Sequence, residues 1–176
     1  ATAFAFLLCF NISSASTYIS DALSNDRITA ITQDLQGHIW IGTFRGLNRF
    51  DSHAYHQYFC ALDDANALPD NQIRSLHTDV SGRLWVGTVN GICRFRDDDC
   101  FDTIPTYGAQ SKNVGQILET KSGRLLINTA DAISLYKSES DAFESVITIY
   151  SGALKYISTA YVSPDDRLWI LGDRLY

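Results

Sequence analysis

The chain of 176 residues contains four histidines, four cysteines and 20 acidic residues, and their spacing limits the chemistry open to them. A metal site needs three or four converging ligands. His53 and His56 lie close together, but His38 and His77 fall in separate turn or strand positions, and no Cys or carboxylate stands at a ligand-like interval. All four read as solvated histidines. The run Asp97-Asp98-Asp99 lacks the alternating acids and the Gly of a calcium loop, so it reads as a solvated hairpin tip. Cys9 falls in an apolar leader, and Cys60, Cys93 and Cys100 show no CxxC spacing. Two readings of these thiols stand: a Cys93–Cys100 disulfide in an oxidising compartment, or unpaired small hydrophobes. No nucleophile elbow, phosphate loop or paired-acid motif occurs, and no metal or cofactor is expected.

A different set suits binding. Asn25, Asp26, Arg27 and Arg45 in the first part of the chain, with Asn71, Gln72 and Asn90 further on, carry the amide, carboxylate and guanidinium groups that recognise hydroxyl-rich ligands. The Asn residues have a second reading as turn formers. Either reading depends on the elements that hold these residues.

Those elements repeat. His38-Ile39-Trp40-Ile41-Gly42-Thr43 returns as Arg83-Leu84-Trp85-Val86-Gly87-Thr88, as Arg124-Leu125-Leu126-Ile127-Asn128-Thr129, and as Arg167-Leu168-Trp169-Ile170-Leu171-Gly172. The steps between positions 40, 85, 126 and 169 are 45, 41 and 43 residues. A period in the low forties made of short strands is the signature of a β-propeller blade. Each copy has β-branched or aromatic runs bounded by turn residues, and an aromatic (Phe50, Phe95, Tyr136) ten residues after the Trp position. The hairpin before each Trp strand closes through Gly37, Gly82 or Gly123, with Asp166 in the fourth copy. Both faces of the Trp strand are apolar, as expected of a sheet covered on both sides by its neighbours.

The reading is an all-β chain, a β-propeller fragment of about three and a half four-stranded antiparallel blades. The blades fall near 23–60, 68–104, 112–147 and an incomplete 155–176. The expected repeat core is Trp40, Gly42, Phe50, Trp85, Gly87, Phe95, Leu126, Tyr136 and Trp169, with the tryptophans packing blade on blade rather than stacking on sugars. Thr17–Ser20 is a strand candidate with no earlier strand to pair with. Two placements are open for it: in a closing blade outside this chain, or in a four-bladed ring beside Leu175 and Tyr176.

The absence of methionine predicts a natural start upstream. Ala1 to Phe10 is almost wholly apolar, and small polar residues follow to Ser16. Residues 1–16 therefore read as the end of a signal peptide, with a buried strand as the alternative. The net charge of −6 disfavours nucleic acid and anionic membrane surfaces as partners.

The stretches Leu23-Ser24-Asn25-Asp26-Arg27-Ile28, Asp34 to Thr43 and Gly46 to Asp51, and their counterparts Leu68 to Ile73 and Gly82 to Thr88, resemble the two-component regulator propeller repeat. The resemblance is weaker in the third copy, where Leu126, Asn128 and Ala132 depart from the pattern. It implies the periplasmic sensor region of a hybrid two-component histidine kinase anchored in the inner membrane, of the type found in Bacteroidetes. It also implies oligosaccharide ligands, further blades and kinase domains outside this chain, and a homodimer at full length. The chain itself is expected to be no enzyme. The alternatives are a propeller enzyme, a polysaccharide lyase or glycosidase, and a structural, protein-binding propeller.

Overall fold

The computed structural model describes residues 17–149 and 156–172. The leader expectation, Cys9, Leu175 and Tyr176 lie outside the described residues. The first sheet contains β1 (Thr17–Ser20), β2 (Ile28–Gln33), β3 (Ile39–Thr43), β4 (Gly46–Phe50) and β5 (Tyr55–Tyr58). The second contains β6 (Ile73–Thr78), β7 (Leu84–Thr88), β8 (Gly91–Phe95) and β9 (Phe101–Ile104). The third contains β10 (Thr106–Tyr107), β11 (Gln116–Glu119), β12 (Leu125–Asn128), β13 (Ala132–Lys137) and β14 (Ala142–Thr148). β15 (Ile157–Val162) pairs with β16 (Leu168–Gly172). No helix among the described residues is long and apolar enough to cross a membrane.

The chain is all-β. Three sheets share one plan, in which four consecutive strands pair antiparallel as β2-β3-β4-β5, β6-β7-β8-β9 and β11-β12-β13-β14. The innermost strands β2, β6, β11 and β15 lie successively against one another, as blades do around a propeller axis.

Two outer strands depart from the expectation. β1 pairs antiparallel with β5, with Thr17 opposite Tyr58 and Ser20 opposite Tyr55, so it is the fifth strand of the first sheet. Both placements expected for it from the sequence are thereby corrected. The open edge of β5 was the nearest template, and an unpaired sheet edge recruits a strand. β10 adds parallel to β14 in the same outer position.

The core lies between sheets. Trp40, Leu47 and Tyr58 of the first sheet meet Leu84, Val86, Cys93 and Phe101 of the second. Trp85 and Ile92 meet Leu125, Ile127 and Phe143 of the third. Leu126 and Ile133 meet Ile157, Ala160 and Ile170 of β15 and β16. Trp40 lies edge-on to Phe95 with ring centroids 4.7 Å apart, and Trp85 to Tyr136 at 5.0 Å. Trp169, placed in the core from its repeat position, is 45% exposed. Trp40 and Trp85 are each covered by the next sheet along the chain, and no described sheet follows β16.

Glycine at positions 42 and 87 has a packing cause. A Cβ on Gly42 would stand 2.5 Å from Ile73 of the next sheet, and one on Gly87 would stand 2.3 Å from Ser75 and 2.9 Å from Val114. The third sheet has Asn128 there. Its amide donates to Gln116 Oε1 at 3.0 Å, and that oxygen also accepts from Ala160 N at 2.7 Å, so a polar bridge stands where the other sheets touch backbone to side chain.

A polar knot recurs behind each buried indole. Asp34 Oδ1 accepts the His38 backbone N–H at 2.9 Å, which closes the hairpin, while Oδ2 accepts the Trp40 indole N–H at 2.8 Å. Asp79 does the same for Arg83 N and Trp85 Nε1, at 2.9 and 2.8 Å. Opposite each Trp in register stands an Arg, Arg49 and Arg94, which reaches a carboxylate on the next sheet: Asp99 at 3.1 Å and Asp141 at 3.0 Å. The tip Asp97-Asp98-Asp99 is therefore not simply solvated, since Asp99 also accepts from the Tyr58 hydroxyl at 2.7 Å. In the third sheet Thr120, Leu126 and Leu135 occupy all three positions. Thr120 still closes its hairpin by accepting from Arg124 N at 2.9 Å, but its side chain has no second oxygen and the Leu126 side chain has no donor to offer it.

Burial acts to raise the pKa of Asp34 and Asp79. The Trp indole donor and the backbone N–H outweigh it and hold both below the usual carboxylate value, with His38 or Arg83 adding to the effect. A group with a depressed folded pKa contributes stability above its unfolded value of ~3.9 and loses it as pH falls toward the folded value. Thermal melts of the full chain should therefore hold steady above about pH 5 and fall steeply below about pH 4, with Asp79→Asn flattening that acid limb. Trp85→Ala should cost about 3–5 kcal/mol, the scale for deleting a buried large aromatic, read by denaturant unfolding. A smaller loss would place the indole outside the core.

Candidate functional site

Antiparallel hairpins send alternate connections to opposite rims. The segments leading into each innermost strand and the turns between second and third strands share one rim, called upper here. The upper rim is knitted from sheet to sheet. Gly46 N donates to Asn71 O at 2.7 Å, and Gly91 N to Lys112 O at 2.9 Å, so the turn of one sheet holds the segment leading into the next. Gly46 has φ +125°, and a Cβ there would stand 2.8 Å from Phe59, so the turn needs glycine twice over.

A cavity of about 460 Å³ opens on this rim between the first two sheets, lined by Ser24, Phe44, Arg45, Phe59, Asp70, Asn71 and Gln72. Arg45, Asn71 and Gln72 of the sequence-expected set thus meet in one place. Arg27 adjoins them, its guanidinium 3.7 Å above the Phe44 ring. Asn25 is held in a turn, its Oδ1 accepting from Arg27 N at 3.1 Å. Asn90 Nδ2 lies 3.5 Å from Pro69 O, outside the cavity lining. Asp26 is exposed and also outside it. Sequence reasoning missed Ser24, Phe44, Phe59 and Asp70. Phe44 adjoins Arg45 in the same turn and carried a signal, whereas Phe59 and Asp70 lie in the irregular 59–72 connection, which has no period to read.

The walls are held from behind. Asn71 Oδ1 accepts from Cys60 N at 2.7 Å, and Asp70 Oδ1 accepts from Gln72 N at 2.8 Å. Buried Asn48 accepts from Ser24 N at 2.8 Å and donates to Ser24 Oγ at 2.9 Å and Ile41 O at 3.1 Å, pinning the segment that carries Asn25 to Arg27. Burial pushes the Cys60 thiol above its ordinary value, which keeps it protonated at neutral pH.

The other candidate groups are structural. Cys60, Cys93 and Cys100 are all free, so the disulfide reading is not realised. His38, His56 and His77 each lie against one carboxylate, Asp34, Asp51 and Glu119, at 2.9–3.0 Å, which corrects their reading as simply solvated. Among the described residues no three His, Cys, Asp or Glu side chains converge as a metal site.

Residues 22–45 and 67–90, which hold the first two lead-in segments, hairpins and Trp strands, match the family model described as "Two component regulator propeller". These two stretches are similar to that propeller repeat over about a quarter of the chain. No curated protein sequence matches it significantly. Among solved structures it is similar to the extracellular domain of the hybrid two-component system BT3049 from B. thetaiotaomicron, with 23% identity and TM-score 0.74 over 85% of this chain. It is likewise similar to that of BT4673 from the same organism, with 19% identity and TM-score 0.68 over 82%. Virginiamycin B lyase from Staphylococcus aureus matches at 16% identity and TM-score 0.62 over 89%. At these identities the likeness is one of fold. The chain spans 22% and 19% of the two extracellular domains and 53% of the lyase.

Asn48 is the fixed point of the first upper-rim segment. Asn48→Ala should destabilise the full chain by about 1–3 kcal/mol, because it leaves Ser24 N and Ile41 O without their partner. Hydrogen exchange should show the loss as faster exchange at residues 22–28, with the second sheet unchanged.

Proposed function

We propose that the chain is part of the ligand-sensing propeller of a hybrid two-component sensor, placed outside the cytoplasm and binding oligosaccharides at its upper rim. The carrying observation is the cavity between the first two sheets, where a guanidinium, two carboxamides and two phenyl rings converge on loops held by a stiff frame. Carboxamides and guanidinium groups suit sugar hydroxyls, and aromatic rings suit the apolar faces of pyranose rings. The likeness to extracellular domains of hybrid two-component systems supports the signalling role.

In this reading further blades and a kinase region complete the protein, which acts as a homodimer in the inner membrane with this part in the periplasm. Ligand in the cavity touches the Phe44–Arg45 turn of one sheet and the 59–72 connection into the next. It therefore favours one spacing of the two sheets, and such a difference in affinity between two arrangements is what shifts an equilibrium. The lyase similarity raises an enzyme reading. The titratable side chains lining the cavity are Arg45 and Asp70, and Asp70 is engaged in capping Gln72, so no acid–base pair is assembled there.

The test is thermal unfolding of the full chain against a panel of plant and host oligosaccharides. At least one should raise Tm by a few degrees, the size expected when ligand is present at many times Kd. A flat response across the panel would leave a structural, protein-binding propeller as the better reading.

A further inference from the structure

The charged groups about the upper-rim cavity bear on which saccharides suit it, a step that rests on the sensing role above. The arginines of the described chain fall into two groups. Arg49, Arg83, Arg94, Arg96 and Arg167 each have an Asp carboxylate within 3.3 Å. Arg27, Arg45, Arg74 and Arg124 have none among the described residues. Arg74 and Arg124 lie elsewhere, on β6 and in the hairpin before β12, while Arg45 lines the cavity and Arg27 adjoins it.

Arg45 in the lining and Arg27 beside it both have side-chain donors available to an anion. The Arg27 guanidinium carbon sits 3.7 Å from the centroid of the Phe44 ring, and its side-chain N–H groups make no hydrogen bond among the described residues. Arg45 is exposed on a turn whose backbone is fixed, its own N–H donating to Thr43 Oγ1 at 3.1 Å. The amides add donors: Asn71 Oδ1 is occupied by Cys60 N, leaving its NH₂ free, and the Gln72 side chain makes no hydrogen bond among the described residues. The acceptor side is thin. Asp70 has one oxygen capping Gln72 N, and the Ser24 hydroxyl is shared with Asn48 and Thr43. Asp26, next to Arg27 in sequence, is exposed and forms no ion pair with it. The wall is donor-rich: Arg45 and Asp70 both line it, and neither Arg45 nor the adjoining Arg27 has a carboxylate at ion-pair distance among the described residues, in a protein of net charge −6.

We infer that the cavity selects an acidic saccharide, with its carboxylate or sulfate held by Arg45 and Arg27 and a sugar face set against Phe44 and Phe59. The planar guanidinium fork matches both oxyanions, and charge-assisted hydrogen bonds are about twice as strong as neutral ones.

Isothermal titration of the full chain with trigalacturonate, a sulfated chondroitin disaccharide and maltotriose tests this. At least one acidic probe should bind about tenfold or more tightly than maltotriose, with affinity falling as salt rises; trigalacturonate reports carboxylate recognition alone, and a preference for the disaccharide, which carries a uronic carboxylate as well, reports an added sulfate contact. Arg45→Gln and Arg27→Gln should each weaken the acidic probe about tenfold with Tm unchanged. Arg45→Lys should retain part of the affinity, and Arg74→Gln should leave it unaltered. Maltotriose binding as tightly as both acidic probes, or acidic binding untouched by Arg45→Gln, overturns the inference and leaves the sensing role standing. Failure of all three saccharides to bind overturns both.

Discussion

The junctions from the first sheet to the second and from the second to the third hang on a carboxylate that does two things. Asp34 and Asp79 close their hairpins with one oxygen and receive a buried indole N–H with the other. A lone four-stranded sheet has no interior, so its apolar residues are buried only where the next sheet arrives. The indole is the largest group delivered to that junction, and its N–H needs an acceptor once water is excluded. The Asp supplies the acceptor from the hairpin turn at the sheet's own end. Arg49 and Arg94, opposite the indoles, then reach Asp99 and Asp141 across the junction.

The third sheet changes these positions together, whereas β16 keeps Trp169, partly exposed, with Ser163 in the place of the Asp. Thr120, Leu126 and Leu135 replace Asp, Trp and Arg together. A Trp without the Asp would bury an unpaired donor, and an Arg without the Trp would lose its aromatic partner, 5.6 Å away for Arg49 and 5.7 Å for Arg94. The junction to β15 is instead held by aliphatic packing around Leu126 and by the Asn128–Gln116–Ala160 bridge. Two kinds of seam therefore occur in one chain, and the candidate ligand cavity sits above the first of the two knotted ones. That placement joins a stiff base to a rim of turns.

The repeat made the fold legible because its period, its turn glycines and its Trp strands are each local in sequence. Gly37, Gly82 and Gly123 have positive φ, and Asp166 in the matching place has φ 61°, as a left-handed hairpin position demands. What was not legible depends on partners distant in sequence. β1 resembles a strand awaiting a closing blade, and only the free edge of β5 reveals its true neighbour. Asp99 reads as one of three solvated acids until Arg49, fifty residues earlier, is seen across the junction. Trp169 has the signature of its buried counterparts, yet exposure is set by what covers it and not by its own strand. The binding set was partly legible, since Arg45, Asn71 and Gln72 come from recurring loop positions, while Phe59 and Asp70 come from a connection without a pattern.

The central claim is that Asp-bound indoles lock successive sheets together, and amide-type hydrogen exchange at the three Trp indole N–H groups of the full chain tests it most directly. Two of the three signals, those of Trp40 and Trp85, should be protected by several orders of magnitude, and Asp34→Ala and Asp79→Ala should each release one of them. Trp169, without such an acceptor among the described residues, should exchange at close to the solvent rate. Rapid exchange at all three, or protection of Trp85 that survives the loss of Asp79, would contradict the account.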